Sequence, residues 1–155
     1  MKKEIDAIIT SFENMLHGEP WFGRSADELL AEVDPGKVFE KPRKGAHSLA
    51  DLAWHMITWA QFTLNRIEKV KDKDENADPD WRKINHAIHT WQNAVAEFNS
   101  IHNKIIAHLR KQEDKWLNEK VDYRKYNYRF LLEGLIQHDI YHLGQVAYLN
   151  KMVTA

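Results

Sequence analysis

Two histidines stand four positions apart near the C-terminal end of the sequence, His138 and His142, within the run GLIQHDIYHLGQV from Gly134 to Val146. On a helix this spacing projects both imidazoles from one face, about one turn apart, where they can supply two ligands to one metal ion. A histidine pair on an apolar face can equally be a hydrogen-bonded part of a core. No Glu follows His138, so this is not the metalloprotease helix with its built-in base. A third ligand has to come from another helix, and His55, in the run LAWHM from Leu52 to Met56, lies beside an apolar face. Three neutral imidazoles on a divalent ion leave a coordination position open, as in catalytic rather than closed structural sites. Such an ion can activate water for hydrolysis of an ester or amide, or lower the pKa of an exogenous low-molecular-weight thiol for transfer to a small-molecule substrate.

Further residues could serve this centre. Gln145 cannot take a proton but can orient a ligand or brace the helix. Tyr141 is a weak candidate for an acid, since its position turns it away from the histidine stripe. Trp59, one turn after His55, lines a pocket or simply packs. Asp51, one turn before His55, can hydrogen-bond its ring or cap the helix. His102 is a fourth ligand, a partner of a ligand, or a core histidine bonded to a carbonyl. Trp21 and Arg24 could cover the mouth of the site, Arg24 meeting an anionic substrate. His17, His47, His86, His89 and His108 read as surface or loop residues.

The elements that must position these groups read as helices. The chain of 155 residues has 9 His and 6 Trp but only 6 Gly and 4 Pro, few breakers for its length. A first helix is expected from Lys3 to Leu16, with Ile5, Ile8, Ile9, Phe12, Met15 and Leu16 at helical spacing. A long connection follows, in which Ser25 and Glu28 form a capping box opening a short helix through Leu29, Leu30 and Val33. Ser48 and Asp51 open the second long helix, which reaches about Val70. Lys71 to Asp78 reads as a charged linker, and Asp78-Pro79 as the start of a third helix. Its stripe is Trp81, Ile84, Ile88, Trp91, Val95, Phe98, His102, Ile105 and Leu109. The last helix runs from Asn127 to about Lys151, with Leu131, Leu135, His138, His142, Gln145 and Leu149 facing inward. A second apolar line along it makes it the central helix of a bundle. His55 and His142 each lie about 22 Å along their helices when the second and last run antiparallel, which brings them level. The sequence thus predicts one all-α domain over 1–155, a four-helix bundle in up-down-down-up order with a long connection between its first two helices.

Composition narrows the partners. Lys plus Arg number 22 and Asp plus Glu 23, for a net charge of −1, so no nucleic-acid partner is expected. With no Cys, disulfides, thiolate zinc sites and a cysteine nucleophile are excluded. No apolar run is long enough to span a bilayer, and the N-terminus lacks the apolar core of a signal peptide, so no membrane partner and a cytoplasmic location are expected.

The run from Gly134 to Val146 resembles the C-terminal signature of the DinB/YfiT-like superfamily. EPWFG from Glu19 to Gly23, with Ser25 and Leu29-Leu30, is similar to the segment after that family's first helix. HSLADLAWH from His47 to His55 is similar to its second helix. The resemblance covers nearly the whole chain and implies an antiparallel four-helix bundle, often a homodimer. It also implies a divalent metal, nickel, zinc or iron, held here by His55, His138 and His142. Some relatives use a low-molecular-weight thiol. Two non-enzymatic readings stand beside this: a metal-stabilised binding or stress-response module, and a helical dimer whose buried histidines are satisfied by protein groups. Trp54, Trp91 and Tyr148 could serve such a dimer or pack inside.

Overall fold

The structure, a computed structural model, describes residues 1–71 and 79–155. Within them lie five α-helices and no strand: α1 (Lys3–His17), α2 (Ala26–Ala31), α3 (Leu49–Ile67), α4 (Trp91–Leu109) and α5 (Tyr128–Thr154). Helix α1 buries the six apolar residues that its periodicity singles out, Ile5 through Leu16. Ser25 caps α2 by accepting the Glu28 N–H. At the start of α3 the Ser48 hydroxyl accepts the Asp51 N–H at 3.1 Å, and the Asp51 carboxylate accepts the Ser48 N–H at 2.8 Å. This reciprocal box satisfies two donors that a helix start leaves without partners. Asn127 caps α5 through the Phe130 N–H.

The third long helix departs from expectation. Helix α4 begins only at Trp91, with Thr90 as its cap, and residues 81–90 are turns and irregular chain. Trp81, Ile84 and Ile88 therefore do not belong to a helical stripe, and Ile88 is exposed. Thr90, accepting the Asn93 N–H at 3.2 Å, is the N-cap of α4. The expected linker from Lys71 and its Asp78 cap lie almost wholly outside the described residues. Trp54 and Trp91 pack inside, the Trp91 indole donating to the Leu30 carbonyl at 3.0 Å, whereas Tyr148 is exposed.

Helix directions follow from end-to-end contacts. The Tyr128 hydroxyl, at the start of α5, donates to the Arg66 carbonyl near the end of α3 at 3.0 Å, while His142 further along α5 meets His55 near the start of α3. Helices α3 and α5 are therefore antiparallel. Helices α3 and α4 run the same way: Ala53 and Met56 share one small gap with Trp91 and Ala94, and Glu68 meets His108 at 3.2 Å. After α4 the chain returns to the start of α1, where the Asp114 carboxylate accepts the N–H groups of Glu4 and Ile5 at 3.0 and 2.9 Å. One continuous cluster of buried apolar side chains joins all five helices.

Parallel α3 and α4 oblige the connecting chain to travel back along α3. Its described part does so against the first half of that helix. The Arg82 guanidinium donates to the Thr58 hydroxyl at 2.8 Å, and Asp80 and Trp81 sit over His55. Among the described residues no helix is long and apolar enough to cross a membrane.

Candidate metal centre

His55 projects from the first half of α3, and His138 and His142 from successive turns in the middle of α5. The antiparallel packing brings the three rings together. The Nε2 atoms of His55 and His142 are 3.0 Å apart, as are those of His138 and His55. One ring nitrogen of each residue lies within 4.8 Å of the others.

Protonation decides what these contacts mean. The His55 Nδ1–H donates to the Asp80 carbonyl at 2.7 Å, and the His142 Nδ1–H donates to the Gln145 Oε1. A neutral imidazole carries one proton, so each of these rings presents a bare Nε2 lone pair to the other. Two lone pairs facing each other at 3.0 Å repel unless a proton or a cation lies between them. Burial pushes the pKa of both His55 and His142 below the ordinary histidine value, and His138 nearby lowers them further. The rings are thus held neutral, the form that ligates metal. Imidazole–zinc bonds of 2.0–2.1 Å at right or tetrahedral angles separate ligand nitrogens by about 2.8–3.4 Å, and the 3.0 Å separations of His55 from His142 and His138 fit a shared divalent ion.

The surroundings fix the rings. Trp81 lies flat on His55, centroids 3.9 Å apart and planes within 3°, and His47 stacks on the other face of Trp81 at 3.6 Å. Trp59 donates its indole N–H to the Asp80 carboxylate at 2.6 Å, and that carboxylate lies 3.2 Å from His55 Nδ1. An open cleft reaches the centre between Asp80, Trp81, Gln137 and Tyr141. His138 retains 26% of its side-chain exposure, while His55 and His142 are buried.

Several expected roles are redistributed. Asp51 closes its capping box and faces Lys41 at 3.7 Å, so it is not the partner of His55; the Asp80 backbone is. His102 is not a ligand: fully buried, it donates from Nδ1 to the Phe98 carbonyl and from Nε2 to Asp139, each at 2.7 Å. Trp21 is fully exposed and Arg24 forms a two-pronged ion pair with Glu32; neither lines the cleft. Tyr141 does line it, its ring edge-on to His142 at 5.0 Å. Gln145 braces His142, and Trp59 reaches the cleft wall.

Asp80, Trp81 and His47 escape sequence reading because loops bring them in. Asp139 does not have that excuse. Leu132, Leu135, Asp139, His142, Val146 and Leu149 follow steps of three and four, so Asp139 occupies a core position, and it is fully buried. Burial alone would raise its pKa, but the charge and hydrogen bond of His102 outweigh this and hold the carboxyl below its ordinary value. Its second oxygen and the His138 Nδ1 face each other at 3.8 Å, both buried and neither with a hydrogen-bond partner among the described residues.

The profile described as the DinB superfamily matches residues 22–146. No curated protein matches the sequence. Among solved structures, a DinB-like protein from Bacillus subtilis superposes with a TM-score of 0.64 at 18% identity, over 99% of this chain and 94% of that one. That likeness shows the fold.

Proposed function

The chain belongs to the DinB superfamily, and from that premise we propose that His55, His138 and His142 hold one divalent metal ion at the centre of an enzyme acting on a small molecule. The observation that carries this reading is the convergence of Nε2 atoms, two of them stripped of their proton by hydrogen bonds on the far side of the ring. The ion would supply Lewis-acid activation of a nucleophile, water for hydrolysis of an ester or amide or a low-molecular-weight thiol for transfer. The protein's residues do the rest. The Asp80 carbonyl and Gln145 set the tautomers, and Trp81 holds the plane of His55. The cleft beside Gln137 and Tyr141 admits the substrate. An open side favours catalysis over a purely structural ion, whose site would be closed. Nickel, zinc and iron all suit imidazole ligands. The homodimer expected of the family is part of the same proposal, as is a cytoplasmic location.

Elemental analysis of the purified protein tests the ligand set. About one ion per chain is expected, lost in His138→Ala and His142→Ala while both variants stay helical by circular dichroism. Full metal content in both variants overturns the assignment. Chelation is expected to abolish activity without unfolding the bundle, and a panel of small thiols, esters and amides separates transfer from hydrolysis. Sedimentation at assay concentration reads the oligomeric state.

A further inference from the structure

A second pocket of about 180 Å³ lies between α3 and α5, sharing Trp59, Gly134 and His138 with the cleft at the three histidines. Trp59 and Phe62 wall it from α3, Phe130 and Leu131 from α5. The Trp59 wall is pinned by its bond to Asp80, and the Arg124 guanidinium lies over the Phe62 ring at 4.9 Å. Thr63 also lines the pocket, but its hydroxyl is already donated to the Trp59 carbonyl at 2.9 Å. Apart from His138 and Tyr126, no lining side chain ionises. A side chain added at Gly134 would meet nothing within 4 Å, so glycine keeps this stretch of α5 from filling the space. Apolar cavities of about 150 Å³ accommodate a benzene ring, and aromatic walls favour edge or offset contacts with one.

We propose that this pocket receives an apolar group of the substrate about the size of one aromatic ring, which sets the reacting bond beside His138. The placement rests on the metal-centre reading, whereas seating of the ring does not require the ion. Charged and strongly polar groups are disfavoured on this side, because apart from Tyr126 and His138 its lining offers little to replace the hydration they would lose. They are left to the cleft side, with Gln137 and Tyr141. Selectivity would then come from the two faces of one centre, apolar toward Phe62 and polar toward Tyr141.

Fluorobenzene, added to the zinc-loaded full-length chain and followed by ¹H–¹⁵N NMR, tests this. Saturable shifts are expected at the Trp59 indole and at the Leu131 and Gly134 amides. Gly134→Leu, which fills the pocket at a helical position with room for a side chain, is expected to weaken binding by about tenfold or more, with Gly134→Ala falling between. Both variants should keep the zinc content of the parent. Equal affinity in Gly134→Leu, or shifts spread elsewhere, overturns the proposal. So does self-association through these same residues, read as concentration-dependent shifts without probe and a changed sedimentation coefficient in Gly134→Leu. Zinc measured on the same samples separates the two readings. A chain that takes zinc but not the ring defeats the pocket alone. One that takes the ring but not zinc defeats the metal centre, and with it the placement of the reacting bond.

Discussion

A histidine has two nitrogens, and in His55 and His142 they do different work: Nδ1 is spent on orientation so that Nε2 can face the centre. His55 and His142 are legible in the sequence as members of spaced, apolar helix faces, but which nitrogen points inward is not, because Asp80 and Gln145 decide it from a loop and from the next turn. The acid sensitivity follows. Burial lowers the pKa of both rings, so on acidification the unfolded chain takes up protons first. Their contribution to stability is whole above about pH 6.5 and is lost as pH falls through the lowered folded-state values. Thermal unfolding of the metal-free protein should show a lower Tm at about pH 5 than at about pH 7.5, and metal occupancy should decline over the same acid range. A Tm that rises on acidification contradicts neutral, buried imidazoles. Asp139 and His102 make a second residue-scale case. Both ring nitrogens of His102 face oxygens, and the His102–Asp139 pair is wholly buried. Removing one partner strands the other, and Asp139→Ala is expected to cost about 3–5 kcal/mol by denaturant titration. Sequence reading left His102 between a ligand, a partner of a ligand and a core histidine bonded to a carbonyl; the carbonyl bond is present, and the carboxylate partner was not foreseen.

At the scale of elements, the starts of α2, α3 and α5 were legible from their Ser and Asn caps, whereas the Thr90 cap of α4 was missed. Ser48 with Asp51 and Ser25 with Glu28 are local signals: the first closes a full capping box, while the second supplies only the Ser25 cap on the Glu28 N–H. Ser48→Ala is expected to lower stability by about 1 kcal/mol, seen as a lower Tm, since it removes the acceptor for the Asp51 N–H ahead of the helix that carries His55. Periodicity misled at α4. Trp81, Ile84 and Ile88 keep helical spacing, but Trp81 is committed to its stack on His55 and the Asn93 side-chain amide donates to the Ile88 carbonyl at 2.8 Å. Tertiary contacts a pattern cannot see override it. Helix α5 carries a glycine where a side chain meets open space, so Gly134→Ala should stabilise the helix by about 0.5–1 kcal/mol and raise the Tm. A fall in Tm contradicts open space around position 134.

For the whole molecule, the centre joins α3 to α5, elements far apart in sequence, so a bound ion stabilises the assembled bundle rather than any one helix. Zinc at about a hundred times its Kd should add about 2.7 kcal/mol, a rise of about 5–10 °C in Tm that disappears in His142→Ala. No change in Tm at saturating zinc overturns ligation by the folded state. The number of long helices and the level meeting of His55 with the last helix could be read from spacing and rise, because both depend on helix lengths that local signals set. That the chain between α3 and α4 must recross the bundle follows from the up-down-down-up order, but that Asp80 and Trp81 come to lie over His55 does not. That path has a genetic consequence. The acceptor that sets the His55 tautomer is a peptide oxygen, present whatever amino acid occupies position 80. Point mutation there can take away the carboxylate held by Trp59 yet leave the orienting bond in place, so this part of the centre is protected against codon change and exposed only to rerouting of the backbone.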